Sequence, residues 1–156
     1  MKKTNALREL DRAKIPYGTV EYDVDESDLS ALSVALKTGE DLDRVFKTLV
    51  LLDEKRNMIV ACIPGAATVD LKKLARVAGV KRVEMLPLKD LLPMTGYIRG
   101  GCSPIGISGK RRTFLHESAL DYEKILVSAG TRGLQAELSP KDLIRHLGIV
   151  TGDLVM

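Results

Sequence analysis

Residues 47–64, "KTLVLLDEKRNMIVACIP", hold two apolar runs of strand length around the polar stretch "DEKRN". That stretch is too short for a crossover helix, so the two runs must pair as an antiparallel hairpin. This constrains the chain more than any other feature. A doubly wound parallel sheet needs an unbroken strand–helix–strand rhythm, and the hairpin interrupts it. The expected fold class is therefore mixed α/β, with residues 1–156 forming one domain.

The remaining segments fit that class. "TNALRELDRAK" (4–14) reads as a helix with Thr4 or Asn5 as cap and Ala6, Leu7 and Leu10 on one face. "PYGTVEYDV" (16–24) changes to a period of two, placing Val20, Tyr22 and Val24 on one side of a strand. In "DESDLSALSVALKTG" (25–39) acidic and Ser caps precede a second helix closed by Gly39, and a helical turn follows in "DLDRVF". After the hairpin come a helix over 68–79 with Asp70 near its start, a short strand "KRVEML", and a short helix "LKDLL" between Pro87 and Pro93. Strands are expected in "RTFLHE", "KILVSAG" and "GLQAEL". "SPKDLIRHLG" is a helix with Ser139 as cap and Pro140 at its first position, and "IVTGDLVM" supplies a last strand.

With no Trp and only 4% aromatic residues, the core must be built from Val, Leu, Ile and Ala. The longest apolar runs are far too short to cross a bilayer, and "MKKTNALREL" has no secretory apolar stretch. The expectation is a cytoplasmic protein. A net charge of +3 permits a polyanionic partner without requiring one.

Metal chemistry finds no support: Cys62, Cys102, His116 and His146 are scattered, with no local ligand pair. No cofactor motif is present either. The glycines of "GGCSPIGISGK" match neither a phosphate-binding loop nor a nucleophile elbow. Two readings of "GYIRGGCSPIG" (96–106) stay open. Cys102 is a nucleophile framed by glycines, or the loop's own backbone is the working part. A second small-residue cluster, "VSAGTRG" (127–133), favours exposed backbone, because two such loops let a ligand approach bare N–H groups. Lys47, beside the apolar strand, either snorkels to solvent or fixes an ammonium at a pocket rim.

Taken together, "VFKTLV" (45–50), "DLKKLARVAGVKRVEML" (70–86), "TGYIRGGCSPIG" (95–106) and "VSAGTRGLQAEL" (127–138) resemble the YbaK/EbsC family, in the family's order. "EYDVDESDLS" fits as well, so the resemblance spans nearly the whole chain. It implies a curved, barrel-like sheet surrounded by helices, related to the editing domain of bacterial prolyl-tRNA synthetases. It also implies a deacylase that clears cysteine from Cys-tRNA(Pro), with Cys-tRNA(Cys) as a further substrate. The partners it implies are the acceptor end of an aminoacylated tRNA and prolyl-tRNA synthetase.

Residue by residue, the resemblance gives Lys47 as the functional lysine, holding the 3′-terminal phosphate or ribose region. It gives the backbone around Gly100, Gly101 and Ser103 as oxyanion donors. Tyr22, Thr48, Cys102, Pro104, Ser128, Ala129 and Gly130 follow as substrate-binding positions. The family pattern GGxSPxG does not require cysteine at position 102. The implied nucleophile is the substrate's own thiol, which attacks its ester and leaves as a thiolactone. Three other readings stand beside this one: an Ala-tRNA(Pro) deacylase, a non-catalytic aminoacyl-tRNA-binding module, and a cysteine hydrolase using Cys102. Basic stretches "GKRR" (109–112), "DLKK" with Arg76, and "KDLIR" are candidate phosphate contacts.

Overall fold

Short helices and strands alternate irregularly, as the central hairpin requires. In the computed structural model, which describes residues 3–156, the order is α1 (Asn5–Arg12), β1 (Gly18–Glu21), α2 (Ala31–Thr38), β2 (Phe46–Asp53), β3 (Met58–Pro64), α3 (Leu71–Ala78) and β4 (Val83–Met85). Then follow α4 (Leu91–Thr95), β5 (Arg111–His116), β6 (Ile125–Thr131), β7 (Leu134–Leu138), α5 (Pro140–Leu147) and β8 (Val150–Gly152).

Local chemistry sets most of these boundaries. Thr4, Ser30 and Asp70 accept hydrogen bonds from first-turn N–H groups of α1, α2 and α3, offsetting orphan donors there. Gly39 and Gly79 take left-handed backbone conformations and end α2 and α3. Some boundaries differ from the sequence expectation. β1 stops at Glu21, and Val24 is exposed beyond it. Pro93 lies inside α4 rather than after a helix, because it occupies the first turn, where its missing N–H would have no partner.

The strands form two sheets, ordered β1-β7-β6 and β4-β2-β3-β5-β8. The hairpin β2–β3 pairs antiparallel with Lys47 opposite Ile63, while β3–β5 and β5–β8 are parallel. The barrel-like closure implied by the resemblance is not seen. The sheets touch through an isolated bridge between Val45 and Leu126. Residues of both β2 and β6 line a cavity beside that bridge. A layer containing Leu7, Leu10, Ile105, Leu115 and Ile125 packs one side of the molecule, and Leu51, Ile59, Leu74 and Phe114 pack another. Both are fully or almost fully buried and mostly aliphatic, as the shortage of aromatics predicts.

Candidate active site

A cavity of about 220 Å³ lies where β2 meets β6. Lys47 and Thr48 reach it from β2, Ser128 from β6 and Gln135 from β7. Tyr22 enters from just past β1, and Gly100 and Cys102 from the glycine-rich loop. Six of the expected site residues thus converge: Tyr22, Lys47, Thr48, Gly100, Cys102 and Ser128. Gly101, Ser103, Pro104, Ala129 and Gly130 do not line it, and all but Gly130 are buried behind it.

These five set the shape of the lining. The Ser103 hydroxyl accepts the Ile105 N–H at 3.1 Å, which locks the turn through Pro104. A Cβ on Gly101 would lie 3.2 Å from the Arg132 backbone nitrogen and 3.3 Å from Thr131, so the two small-residue loops meet backbone to backbone. Ala129 donates nothing to the cavity; its carbonyl accepts the Thr4 hydroxyl, which ties α1 to β6. Gly130 has φ of +101°, and a Cβ there would lie 3.2 Å from the Tyr97 ring. Tyr97 pins the arrangement from below, donating its hydroxyl to the Ile105 carbonyl. The sequence signal for Tyr97 was its position: a lone aromatic inside a glycine loop, in a chain with few aromatics.

The electrostatics separate the readings of Cys102. Burial pushes its thiol up to about 12, so it stays protonated near neutral pH and is a poor nucleophile. Cys62 is likewise pushed up to about 12 by burial, beside the Thr48 hydroxyl at 3.8 Å. Neither histidine lines the cavity. His116 Nδ1 accepts the Leu154 N–H at 3.1 Å, and His146 Nε2 lies 2.8 Å from Glu9. Both are structural. Among the described residues no cluster of His, Cys, Asp or Glu could hold a metal ion.

Lys47 is the one charged side chain lining the cavity, and among the described residues its ammonium has no ion-pair or hydrogen-bond partner. Burial lowers its pKa below the ordinary 10.5. The amide N–H groups of Gly100 and Cys102 make no hydrogen bond to another described residue, whereas Gly101 N–H is used on the Ile98 carbonyl at 3.0 Å. Free donors therefore alternate along the loop. Gln135, which the sequence reading missed, is 5% exposed, and its Oε1 is buried without a partner. A polar residue in a strand buried on both sides is the signal that would have found it. The cavity is closed on its remaining side by α2, through Ala31 and Val34, and by Gly65.

The basic stretches lie elsewhere. Arg111 sits opposite Met58, at the other end of β3 from Ile63 and Lys47. Arg112 donates to the Ala78 carbonyl at 2.8 Å and stacks over Phe114. Lys73 pairs with Asp153 at 2.7 Å, and Arg145 with Asp142 at 2.8 Å. No helix among the described residues is long and apolar enough to cross a membrane.

The chain matches known proteins across this whole arrangement. It is 51% identical over 142 residues to EbsC of Enterococcus faecalis, named as a candidate Cys-tRNA(Pro)/Cys-tRNA(Cys) deacylase, covering 91% of this chain and 87% of that protein. It is 31% identical over 126 residues to YwhH of Bacillus subtilis, an uncharacterised protein, covering 79% and 80% of the two chains. A solved structure described as a candidate trans-editing enzyme for prolyl-tRNA synthetase superposes with a TM-score of 0.82 at 23% identity, over 99% of both chains. The model of the aminoacyl-tRNA editing domain matches residues 26–146, which include Lys47, both small-residue loops and Gln135. The chain belongs to the aminoacyl-tRNA editing domain family.

Proposed function

We propose that this protein is a trans-editing deacylase that clears cysteine from Cys-tRNA(Pro). One observation carries the reading: a small cavity with a single unpaired cation and free backbone donors, but no general base and no ionised nucleophile. Such a site suits a substrate that brings its own attacking group. The cysteinyl thiol is partly ionised near neutral pH, unlike a serine hydroxyl. Its sulfur attacks the ester carbonyl, forming the C–S bond of a thiolactone and breaking the C–O bond to the ribose. The released ribose hydroxyl takes up a proton from solvent, and water later opens the thiolactone.

The protein then orients and stabilises. N–H groups of Gly100 and Cys102 face the developing oxyanion, held in place by Gly101, Ser103 and Pro104. Lys47 holds the ribose of the terminal nucleotide. Gln135 Oε1 accepts from the substrate's ammonium, which supplies the partner it lacks in the free protein. Tyr22, Thr48 and Ser128 bound the amino-acid pocket, supported by Ala129 and Gly130.

A panel of charged tRNAs tests this. Rapid release of cysteine, with Ser-tRNA and Ala-tRNA nearly untouched, is the expected result. Equal turnover of Ala-tRNA(Pro) would sink the self-cleaving thiol, and binding without turnover would make the chain a carrier. Adding prolyl-tRNA synthetase to the same assay reads whether tRNA selectivity comes from that partner.

A further inference from the structure

A second cavity, of about 360 Å³, adjoins the first and shares Thr48, Gly100 and Cys102 with it. Its other walls are aliphatic, with Met85, Leu86, Leu88 and Leu91 prominent, and Arg99 stands at its margin. Leu88 is 60% exposed and Met85 46%, and the exposed Leu92 and Ile98 lie nearby in the chain. Among the described residues the Arg99 side chain has no hydrogen bond or ion pair, although its carbonyl accepts from Arg132 at 2.8 Å. A soluble protein rarely leaves several large aliphatic side chains bare around a concavity without an occupant.

The strip Thr48–Gly100–Cys102 separates a polar chamber with one cation from an apolar one with another. An aminoacyl-tRNA terminus has the same layout, with the amino acid on one side of the ribose and a flat base on the other. A phosphodiester follows. Bases pack on aliphatic and guanidinium faces as well as on aromatic ones.

Resting on the deacylase reading of the first cavity, we infer that the second cavity receives the terminal adenine of the tRNA. The ribose then lies across Thr48 and Gly100, and Arg99 meets the last internucleotide phosphate. The occupant is fixed by continuity: whatever ester sits in the first chamber must place its nucleoside within reach of this one. The apolar walls give affinity for any aminoacylated tRNA end and leave amino-acid choice to the first chamber.

The test compares two substrates on three proteins: the unmodified chain, Leu88→Asp and Met85→Glu. Both substitutions are at exposed positions, and near-ultraviolet circular dichroism checks that the fold is kept. With Cys-tRNA(Pro), each variant is expected to raise KM about tenfold, as the loss of one stacked base would, with kcat little changed. Cysteine ethyl ester, which has no nucleoside, should be cleaved equally by all three. Unchanged KM for Cys-tRNA(Pro) in both variants overturns the inference, and so does an equal loss on both substrates. An unmodified protein inert on Cys-tRNA(Pro) overturns the deacylase reading instead. Titration with AMP then still reads the cavity: methyl signals of Leu88 and Leu91 should move while those of Val34 stay. No movement at millimolar AMP removes the adenine site.

Discussion

The two walls of the first cavity are built in opposite ways. The inner wall, from β2, β6 and the 97–106 loop, is mostly buried, apart from Ile98 and Arg99 in the loop, and is cross-tied by Tyr97, Ser103 and the contact between Gly101 and Thr131. The outer wall, residues 22–44, is largely exposed; α2 buries only Val34 and Ala35, and Leu36 is 76% exposed. Arg44 fastens its end, reaching Glu40 at 2.8 Å and Glu137 at 2.9 Å. A wall with so few buried apolar contacts opens at low free energy, whereas the inner wall holds its geometry until the protein unfolds. Preorganised donors belong on the second kind of wall, and substrate entry on the first.

The largest expected effect is at the inner wall's cation. Lys47→Met should lower kcat/KM for Cys-tRNA by about two orders of magnitude, as losing a group that positions the ester does. The same substitution should leave the melting temperature unchanged or raise it. Folded Lys47 holds its proton less tightly than the unfolded residue, so its burial lowers stability at every pH below the folded value. That loss fades as pH rises from there towards 10.5. In the intact protein, the rate above spontaneous hydrolysis should rise as the substrate thiol ionises. It should then fall as Lys47 deprotonates, below the ordinary lysine range.

Next comes Gly101→Ala. Its Cβ would press on the Thr131–Arg132 backbone, which cannot rotate away as a side chain could. A loss of about 1–3 kcal/mol by denaturant unfolding is expected, with kcat falling alongside. Gly65→Ala makes the matching break in the outer wall, since its Cβ would lie 2.1 Å from the Ala31 Cβ. There α2 should shift outward, raising KM severalfold while unfolding free energy changes less than for Gly101→Ala. Equal destabilisation by the two would show that the walls are not different in kind. The smallest effect is expected from iodoacetamide at pH 8, because the buried thiol of Cys102 is protonated. Rapid inactivation there would restore Cys102 as the nucleophile.

The contrast also explains what could be read from the sequence. The hairpin, the caps at Thr4, Ser30 and Asp70, and the glycine stops at 39 and 79 are local devices, each written in a few adjacent residues. Inner-wall positions Lys47, Gly100, Cys102 and Ser128 were legible because unusual residue types interrupt regular strands or cluster in loops. The outer wall was not. Ala31, Val34 and Gly65 look ordinary, and their role arises from a meeting of α2 with the end of β3 that no local pattern encodes. The separation into two sheets was hidden for the same reason, since pairing partners such as β1 and β7 are far apart in the chain.

That separation bears on how the molecule comes into being. The β2–β3 hairpin closes over a short turn and can form early, whereas β1 must wait for β7, and the sheet holding β6 and β7 must dock across Val45 and Leu126. During synthesis Lys47 therefore spends most of the time on an open sheet edge, with Ser128 and Gln135 not yet made. The proposed ester-cleaving geometry is complete only once β6 and β7 have been made and docked. On the proposed function, a nascent chain should be silent towards the charged tRNAs that crowd the ribosome building it.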